Sequence, residues 1–598
     1  MKQYEILMSI DTTKNFIEKS GCGKAFGVVI ALVMIVSVFQ SCGVGQNAQS
    51  EQAATPANEP SVVTVGKVGA PVSAFESLYE RAIQIRETQV RAQAGDNFEG
   101  LSQSDRAIVY SEVAGQVVTN LINMHYAQEA GISISKDMAL AESNKQFEDQ
   151  VNTARQQLIQ QGKLTATSTQ EDLDKAIKEL AGKTLTELRA ENTATASDLY
   201  DSPGGKLILE GGAAVTAYKA QMESKTVVSE DELKKSFQSA RLKSIVFKQN
   251  PTGPDRTAEA QKVLDEIKAG TITFEAAMDK YSQNPFAPKD KKPSQHEDIL
   301  AMQFLLVDKD YAPIMDLKPG QMSAVIKGAD GPVIYRLIKF EGSVPPDFEA
   351  TKAEKMKNHK MFVANVAYFK RLEADMMTLP KFVDGGYEIL YKTSMLMREA
   401  KYANLEEGLR NQARALTTGS PRPRDVGRFF LERRYYNKLK PEEKKTKFEP
   451  YLEAMRGFVS AFDGPTVRLD MVDLLIEMKS PATGAELIPA SLTNSTFGQM
   501  GQAFNTRINT ALDKAKAAKL ITPEEIKQVE ENQKRWIEGK REYEKQIAAQ
   551  AAQRKEAEAA LAKEKAAAEA AEKAKGKEPE KPGTSSSDLM APPAPEKK

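Results

Sequence analysis

Histidine and cysteine, the side chains that most often carry catalysis or bind metals, are scarce in this sequence. Among its 598 residues there are three histidines and two cysteines, which are His125, His296, His359, Cys22 and Cys42. No histidine has a cysteine or a second histidine near it in sequence, so we predict no metal site. A glycine-rich phosphate loop and a nucleophile elbow are also missing, and we predict no cofactor.

Methionine offers a different kind of chemistry, because its flexible and polarizable side chain adapts to apolar partners of varied shape. The chain has 21 methionines. Those that fall between residues 356 and 397 are Met356, Met361, Met376, Met377, Met395 and Met397. We predict that Met356 and Met361 bind polypeptide. The alternative is that these methionines fill the interfaces between helices.

Residues 241–342 contain several short blocks in a definite order. A strand-like run at 244–247 is followed by a helix pattern at 257–269 and the block 274–278. The segment closes with Leu-Lys-Pro-Gly at 317–320 and an apolar strand pattern at 334–341. This order resembles the parvulin family of peptidyl-prolyl isomerases along the whole domain. The resemblance implies a small α+β domain, which we place at residues 239–345.

The parvulin resemblance also implies where catalysis would occur. Rotation about a prolyl peptide bond faces a barrier of about 18–20 kcal/mol, and a catalyst must bind the twisted amide better than the planar one. Active parvulins use an apolar proline pocket beside a pair of histidines and a nearby Cys or Asp. The resemblance puts Ser244 and Arg336 at the two histidine positions, and neither side chain can replace an imidazole pair. We therefore predict peptide binding with weak or no isomerase activity, an active isomerase being the alternative.

Two further residues of this domain follow from the same resemblance. Phe304 and Met315 fall near the positions that contact proline in the family, and we predict that they bind peptide. Core packing is the alternative for both. His296 stands where the family has a glycine-rich turn, and we predict that it lies in a solvated loop.

The N-terminal 45 residues have the pattern of a membrane anchor. Residues 25–39 are strongly apolar, and small uncharged residues extend this stretch to residue 45. Lysines precede the stretch, whereas the next basic residue is Lys67. This asymmetry predicts that residues 1–24 are cytoplasmic and that the rest of the chain is exported from the cytoplasm. A lipoprotein modified at Cys42 and a cleaved signal sequence are the alternatives.

The remaining sequence predicts a mainly helical body. A tether at 46–60 leads to a strand and long helices over 61–238, where Ser73 and Glu76 have capping-box spacing. Residues 150–226 are predicted to be an insertion, with turns at the glycine pairs 204–205 and 211–212. The order of the first helices resembles the N-terminal domain of the SurA/PpiD-like family of periplasmic chaperones. In that family a later helix completes this domain, and we predict the same for 346–380.

The C-terminal part is predicted to be helical as well. Residues 381–521 form helical pairs with a faint tetratricopeptide character, residues 522–575 form a charged helix, and residues 576–598 form a disordered tail. The fold class is therefore mainly α with a small α+β domain. The basic cluster near residues 422–438 is predicted to be a solvated or partner-facing helix, because Lys+Arg and Asp+Glu both number 82 and leave no basic field for nucleic acid.

These expectations combine into one functional hypothesis. The chain is predicted to be a membrane-anchored periplasmic chaperone that holds unfolded or newly exported polypeptides without ATP or metal. An active prolyl isomerase is the first alternative. A helical scaffold that docks a dedicated protein of the cell envelope is the second.

Overall fold

The computed structural model describes the middle of the chain nearly continuously. It covers residues 59–94, 101–248, 255–288, 290–308, 310–328 and 331–462, with isolated positions in 467–474 and 510–552. The chain divides into two compact units, residues 1–474 and 475–598. The predicted anchor at 25–45 and the predicted tail at 576–598 lie outside the described residues. Within the described part, no helix combines the length and the apolarity needed to cross a membrane.

A helical domain opens the first unit. Its elements are β1 Ser61–Val65, β2 Val68–Pro71, α1 Val72–Ala94, α2 Gln103–Glu129, α3 Lys136–Gln160, α4 Gln170–Ala181, α5 Leu185–Tyr200, α6 Pro203–Lys225 and α7 Glu230–Ser236. More than half of the residues of α2 are buried, and Val113, Val117 and Leu121 are buried at helical spacing. Gly131 ends this helix at a positive φ of 75°, a conformation that glycine adopts without strain.

The start of α1 differs from the predicted capping box. The helix begins at Val72, so Ser73 lies inside its first turn. The backbone N–H of Ser73 instead donates to Glu59 Oε1 at 3.1 Å. A carboxylate from the preceding segment, and not the Ser73 side chain, therefore accepts a hydrogen bond from a free N–H group at the start of the helix.

The glycine pairs at 204–205 and 211–212 are inside α6 and do not form turns. A Cβ on Gly205 would lie 2.0 Å from the Leu199 carbonyl oxygen, and one on Gly211 would lie 2.5 Å from Asn120 Oδ1. Glycine is required here because α6 approaches α5 and α2 so closely. The predicted turns are wrong, since tertiary packing outweighs the local preference of glycine.

Tertiary packing also changes the bounds of the predicted insertion at 150–226. The part that stands apart is α4 and α5, which share a small apolar cluster with α3 built around Phe147, Leu158 and Leu173. By contrast, α6 packs against α1, α2 and α3. Helix α6 is thus part of the core of the helical domain.

The α+β domain follows α7. Its elements are β3 Ser239–Val246, α8 Thr257–Lys268, α9 Phe274–Tyr281, β4 Asp298–Ala301, α10 Met302–Val307, α11 Ala312–Met315, β5 Ile326–Gly328 and β6 Gly331–Glu341. The strands form an antiparallel sheet in the order β4-β3-β6-β5. Helices α8 and α9 cover one face around Ile245 and Ile334, and α10 and α11 cover the other around Leu242 and Leu337.

The chain then returns to the helical domain. These elements are α12 Phe348–Asp375, β7 Lys381–Phe382, α13 Gly385–Arg398, α14 Glu406–Ala415, α15 Pro421–Lys438, α16 Pro441–Lys444 and α17 Glu449–Ala461. Strand β7 adds to the first sheet in the order β2-β1-β7. On α12, Tyr368 donates to Asn123 Oδ1 at 2.7 Å and Arg371 donates to the Tyr218 hydroxyl at 2.7 Å. The predicted fold class, mainly α with a small α+β domain, is confirmed.

The helices after β7 pack on the first helices of the chain. Arg422 of α15 pairs with Glu76 of α1 at 2.9 Å. Its guanidinium lies 4.5 to 4.9 Å from the ring centroids of Tyr79, Tyr110 and Phe462. The basic cluster predicted to be a solvated or partner-facing helix is therefore partly an internal contact, because α15 places Arg422 against buried aromatic rings.

Candidate functional site

Ser244 and Arg336 lie on opposite faces of the α+β sheet. Ser244 is opposite Tyr335 in the β3–β6 pair, and Arg336 is opposite Lys243. Cross-strand partners share a face, and neighbouring residues alternate between faces. The side chain that shares a face with Ser244 is therefore Tyr335.

A β-bulge accounts for this arrangement. Arg241 pairs with Lys339, but the next residue, Leu242, pairs with Leu337. One residue of β6, Ile338, is thus left without a partner in the ladder. Without this bulge the register would place Ser244 opposite Arg336. A one-residue shift moves every later side chain to the other face.

Ser244 is the centre of a buried polar cluster. Its side chain is 0% exposed, and its hydroxyl donates to Asp298 Oδ2. Asn284 Nδ2 donates to Ser244 Oγ at 3.1 Å and to Asp298 Oδ1 at 3.1 Å. His296 Nε2 lies 3.1 Å from the same Asp298 oxygen. We call Ser244, Asn284, His296 and Asp298 the polar cluster.

Sequence reasoning missed most of this cluster. Asn284 and Asp298 were not identified, and His296 was predicted to lie in a solvated loop. The prediction for His296 is wrong, because its side chain is only 18% exposed and faces Asp298. A usable signal was present in the two-residue spacing of His296 and Asp298 at the start of an apolar strand. That spacing puts both side chains on the same side of an extended segment.

A small apolar cavity adjoins the polar cluster. Its volume is about 50 Å³, far below the roughly 300–1,000 Å³ of sites for drug-sized ligands. The walls come from Val246, Leu300, Val333 and Tyr335, and Phe286 stands at the rim with 60% of its surface exposed. The cavity therefore has room for part of one side chain of a polypeptide.

The opposite face of the sheet carries a charged group. Arg336 binds Glu275 of α9 through both of its terminal nitrogens, and Lys243 lies 3.4 Å from the same carboxylate. The hydrogen bonds from the Arg336 guanidinium lower the pKa of Glu275 to about 2, against the opposing effect of burial. The guanidinium also lies 4.6 Å from the ring centroid of Phe274. These contacts connect α9 to the sheet and leave Arg336 away from the cavity.

The four predicted peptide-binding residues lie outside the cavity. Phe304 packs its ring on Phe362 of α12, with centroids 5.3 Å apart. Met315 packs on the apolar core under α10 and α11. Phe304 is nevertheless 37% exposed, and peptide binding by these two residues stays a prediction. Met356 lines a separate cleft against α6, and Met361 is 46% exposed on α12.

The polar cluster is not arranged for nucleophilic catalysis. A catalytic serine needs a base that accepts its proton, with the base oriented by a third group. Here Ser244 and His296 both bond to Asp298, so the serine lacks the imidazole neighbour that would activate it. Among the described residues, no group of three or more His, Cys, Asp or Glu side chains could hold a metal ion. The arrangement suits binding of an apolar side chain beside a carboxylate.

The remaining histidines, His125 and His359, each lie near a glutamate in the helical domain. His125 lies 3.4 Å from Glu129 on the same helix. His359 of α12 is 5% exposed, stacks on Phe362, and places Nε2 3.7 Å from Glu232 of α7. Burial lowers the pKa of His359, and the Glu232 carboxylate partly opposes this shift.

The burial of His359 predicts a pH effect on stability. Because the pKa of His359 is lower in the folded state, the folded state binds fewer protons than the unfolded state. The contribution of His359 to the free energy of unfolding is therefore fully present above its ordinary pKa of about 6.5. Stability is lost as the pH falls through the folded-state pKa. We expect the melting temperature to fall between about pH 7.5 and pH 5, and to fall less in H359L. Equal slopes in thermal unfolding of the two proteins would contradict this assignment.

Comparison with known proteins gives distant structural similarities. No protein-family model matches the chain, and no curated protein matches it. The peptidylprolyl isomerase PrsA from Bacillus cereus is 14% identical, with 46% of this chain and 90% of that chain covered at a TM-score of 0.22. PrsA from Bacillus anthracis is also 14% identical, with 44% of this chain and 96% of that chain covered at a TM-score of 0.21.

A third similarity is to a structure from a study of PEB4 and Cj1289, described as SurA-like chaperones of Campylobacter jejuni. It is 13% identical, and 55% of this chain and 99% of that chain are covered at a TM-score of 0.14. The chain is therefore similar to peptidyl-prolyl isomerases and SurA-like chaperones. At these identities it is placed in no single family.

Proposed function

We propose that this chain is an extracytoplasmic folding chaperone that holds newly exported polypeptides. Its N-terminal segment anchors it to the membrane, either as an uncleaved helix at 25–45 or through a lipid on Cys42. Its α+β domain binds peptide and contributes little catalysis. The proposal needs neither a nucleotide nor a metal.

The burial and hydrogen bonding of Ser244 are the observation that supports this proposal. Its hydroxyl is fully buried and uses its hydrogen on Asp298 while accepting from Asn284. The position that would hold an imidazole in an active parvulin therefore has no free donor to aim at a twisted amide. What remains accessible is the apolar wall of the cavity, which favours retention of a side chain.

An active isomerase is the second candidate, and one observation favours it. His296 and Asp298 form a hydrogen-bonded pair close to the apolar cavity. This pair supplies an imidazole from a neighbouring segment in place of the two strand positions. Its catalytic use requires that a bound peptide reach His296.

Two assays on the full-length chain separate these functions. We expect the protein to suppress aggregation of an unfolded outer-membrane protein at near-equimolar ratio. We expect it to accelerate cis–trans isomerisation of a proline peptide by less than about two-fold over the slow uncatalysed rate. Strong turnover in the protease-coupled assay would favour the isomerase. Failure of both assays, with one stoichiometric partner recovered, would favour the scaffold.

A variant that fills the cavity tests the binding role of the α+β domain. V246F places a phenyl ring into a cavity of about 50 Å³, and we expect it to weaken peptide binding by about five-fold. V383F is the matched control, because Val383 is 80% exposed in the helical domain. Fluorescence anisotropy with a labelled aliphatic peptide measures the affinities, and circular dichroism checks that V246F keeps its sheet. Equal affinities of the two folded variants would exclude the cavity as the peptide site.

A further inference from the structure

A second and larger cleft lies in the helical domain. It has a volume of about 440 Å³ and separates the C-terminal end of α6 from the first half of α12. Small side chains line its walls, with Ala220 and Ser224 from α6 and Ala353 from α12. This volume lies within the range of about 300–1,000 Å³ that is typical of ligand-binding sites.

The floor of this cleft is apolar and adaptable. Met356 lines it and is only partly buried. Away from the cleft, Met356 packs on an apolar cluster of Val228, Leu233 and Phe348. The cluster supports this side chain, and its flexible thioether chain adapts to aliphatic groups of different shape.

The charges at the rim distinguish this cleft from the rest of α12. The helix has five lysines, at 352, 355, 357, 360 and 370. Three of them pair with carboxylates, namely Lys352 with Glu230, Lys355 with Asp347 and Lys370 with Asp308. The two that line the cleft, Lys357 and Lys360, have no ion pair within the described part of the chain. Their ammonium groups are therefore available to a bound anion.

The facing wall carries a single charged group. Glu223 of α6 lines the cleft opposite the two lysines and has no ion pair in the described ranges. The cleft thus presents two ammonium groups on one side, one carboxylate on the other, and a thioether between them. A fully apolar peptide would leave the lysines unpaired, and a basic peptide would face them with like charge.

We infer that this cleft binds extended polypeptide segments in which an aliphatic residue stands next to an acidic one. The aliphatic side chain packs on Met356, and the acidic side chain pairs with Lys357 and Lys360. Glu223 accepts a backbone N–H of the bound segment. This inference rests on the proposed chaperone function and deepens it by naming the chemistry of preferred clients.

Charge reversal on the full-length protein tests the inference. The probes are a labelled peptide that alternates leucine and aspartate and its twin with lysine in place of aspartate. We expect wild type to prefer the acidic peptide, with a preference that shrinks as salt is raised towards 1 M. K357E/K360E should bind the acidic peptide about ten-fold more weakly and bind the lysine peptide more tightly.

The matched control is K175E/K178E on α4, which changes the net charge equally and has the same three-residue spacing at exposed positions. It should leave both affinities within about two-fold. Equal peptide binding by the two reversed variants would overturn the inference. Binding of anionic lipid vesicles lost in K357E/K360E, with peptide binding unchanged, would overturn it as well and identify a membrane surface as the occupant.

The proposed function and this inference fail in different ways. If wild type does not suppress aggregation of any unfolded protein, the chaperone function itself is wrong. If wild type suppresses aggregation and K357E/K360E does so equally for acidic and basic clients, only the cleft assignment is wrong. Both lysines project from an accessible part of α12, so the reversed variant is expected to keep the helical content of wild type.

Discussion

D298A is expected to destabilise the sheet of the α+β domain by about 3–4 kcal/mol, because hydrogen bonds to a charged group contribute roughly 1.5–3 kcal/mol each. Asp298 accepts from Ser244 and Asn284 and faces His296. Its removal leaves the Ser244 hydroxyl, which is 0% exposed, without an acceptor. A buried polar group without a partner carries its full desolvation cost.

Amide hydrogen exchange in β3 measures this effect locally, which matters in a chain of several domains where one global unfolding energy is not defined. The control is D290A, since Asp290 is exposed in the same domain and its change should stay within about 0.5 kcal/mol. D298N keeps the shape but places an amide N–H₂ near that of Asn284, and it should recover only part of the loss. Equal protection in D298A and D290A would show that Asp298 does not hold the cluster together.

E432A is the second substitution with a large expected effect, a loss of about 3–5 kcal/mol from the C-terminal helices of the first unit. Glu432 of α15 is 1% exposed. Arg414 donates to its two oxygens at 2.6 and 2.8 Å, and Arg410 Nε lies 3.6 Å away. Truncation leaves the Arg410 guanidinium, which is 10% exposed, and the partly exposed Arg414 guanidinium without the carboxylate that they share.

Two further variants distinguish the loss of the ion pair from the loss of side-chain packing at Glu432. E442A is the control, because Glu442 is 83% exposed and pairs with Lys445 on the surface. It should change stability by less than about 1 kcal/mol. R410M/R414M/E432M should recover most of the stability, since apolar replacement of a buried ion cluster is often close to neutral. If hydrogen exchange in α15 shows the triple variant to be as unstable as E432A, this electrostatic account is wrong.

Much of the helical architecture followed from short-range patterns. The helix predicted for 346–380 is Phe348–Asp375. Ser229 has capping-box spacing to Glu232 at the start of α7, and its side chain accepts from the Glu232 N–H. Such signals are readable because a cap or an apolar stripe involves residues within a few positions of one another.

The glycines of α6 were misread because their role is long-range. Glycine pairs usually indicate turns, and nothing within a few residues of Gly211 indicates otherwise. Its place in a helix depends on Asn120, which α2 brings to 2.5 Å from where a Cβ would stand. Close approach of another helix is invisible to local propensity.

The sequence by itself determined that no imidazole stands at Ser244, and it determined the order of elements that forms a small α+β domain in a helical body. Only the tertiary structure decided what surrounds that serine. The bulge at Ile338 puts Tyr335 beside it and turns Arg336 to the other face. Asn284 and Asp298 reach it from 40 and 54 residues away. Strand register and buried hydrogen bonds depend on segments distant in sequence, so a local pattern gives the residues without giving their partners.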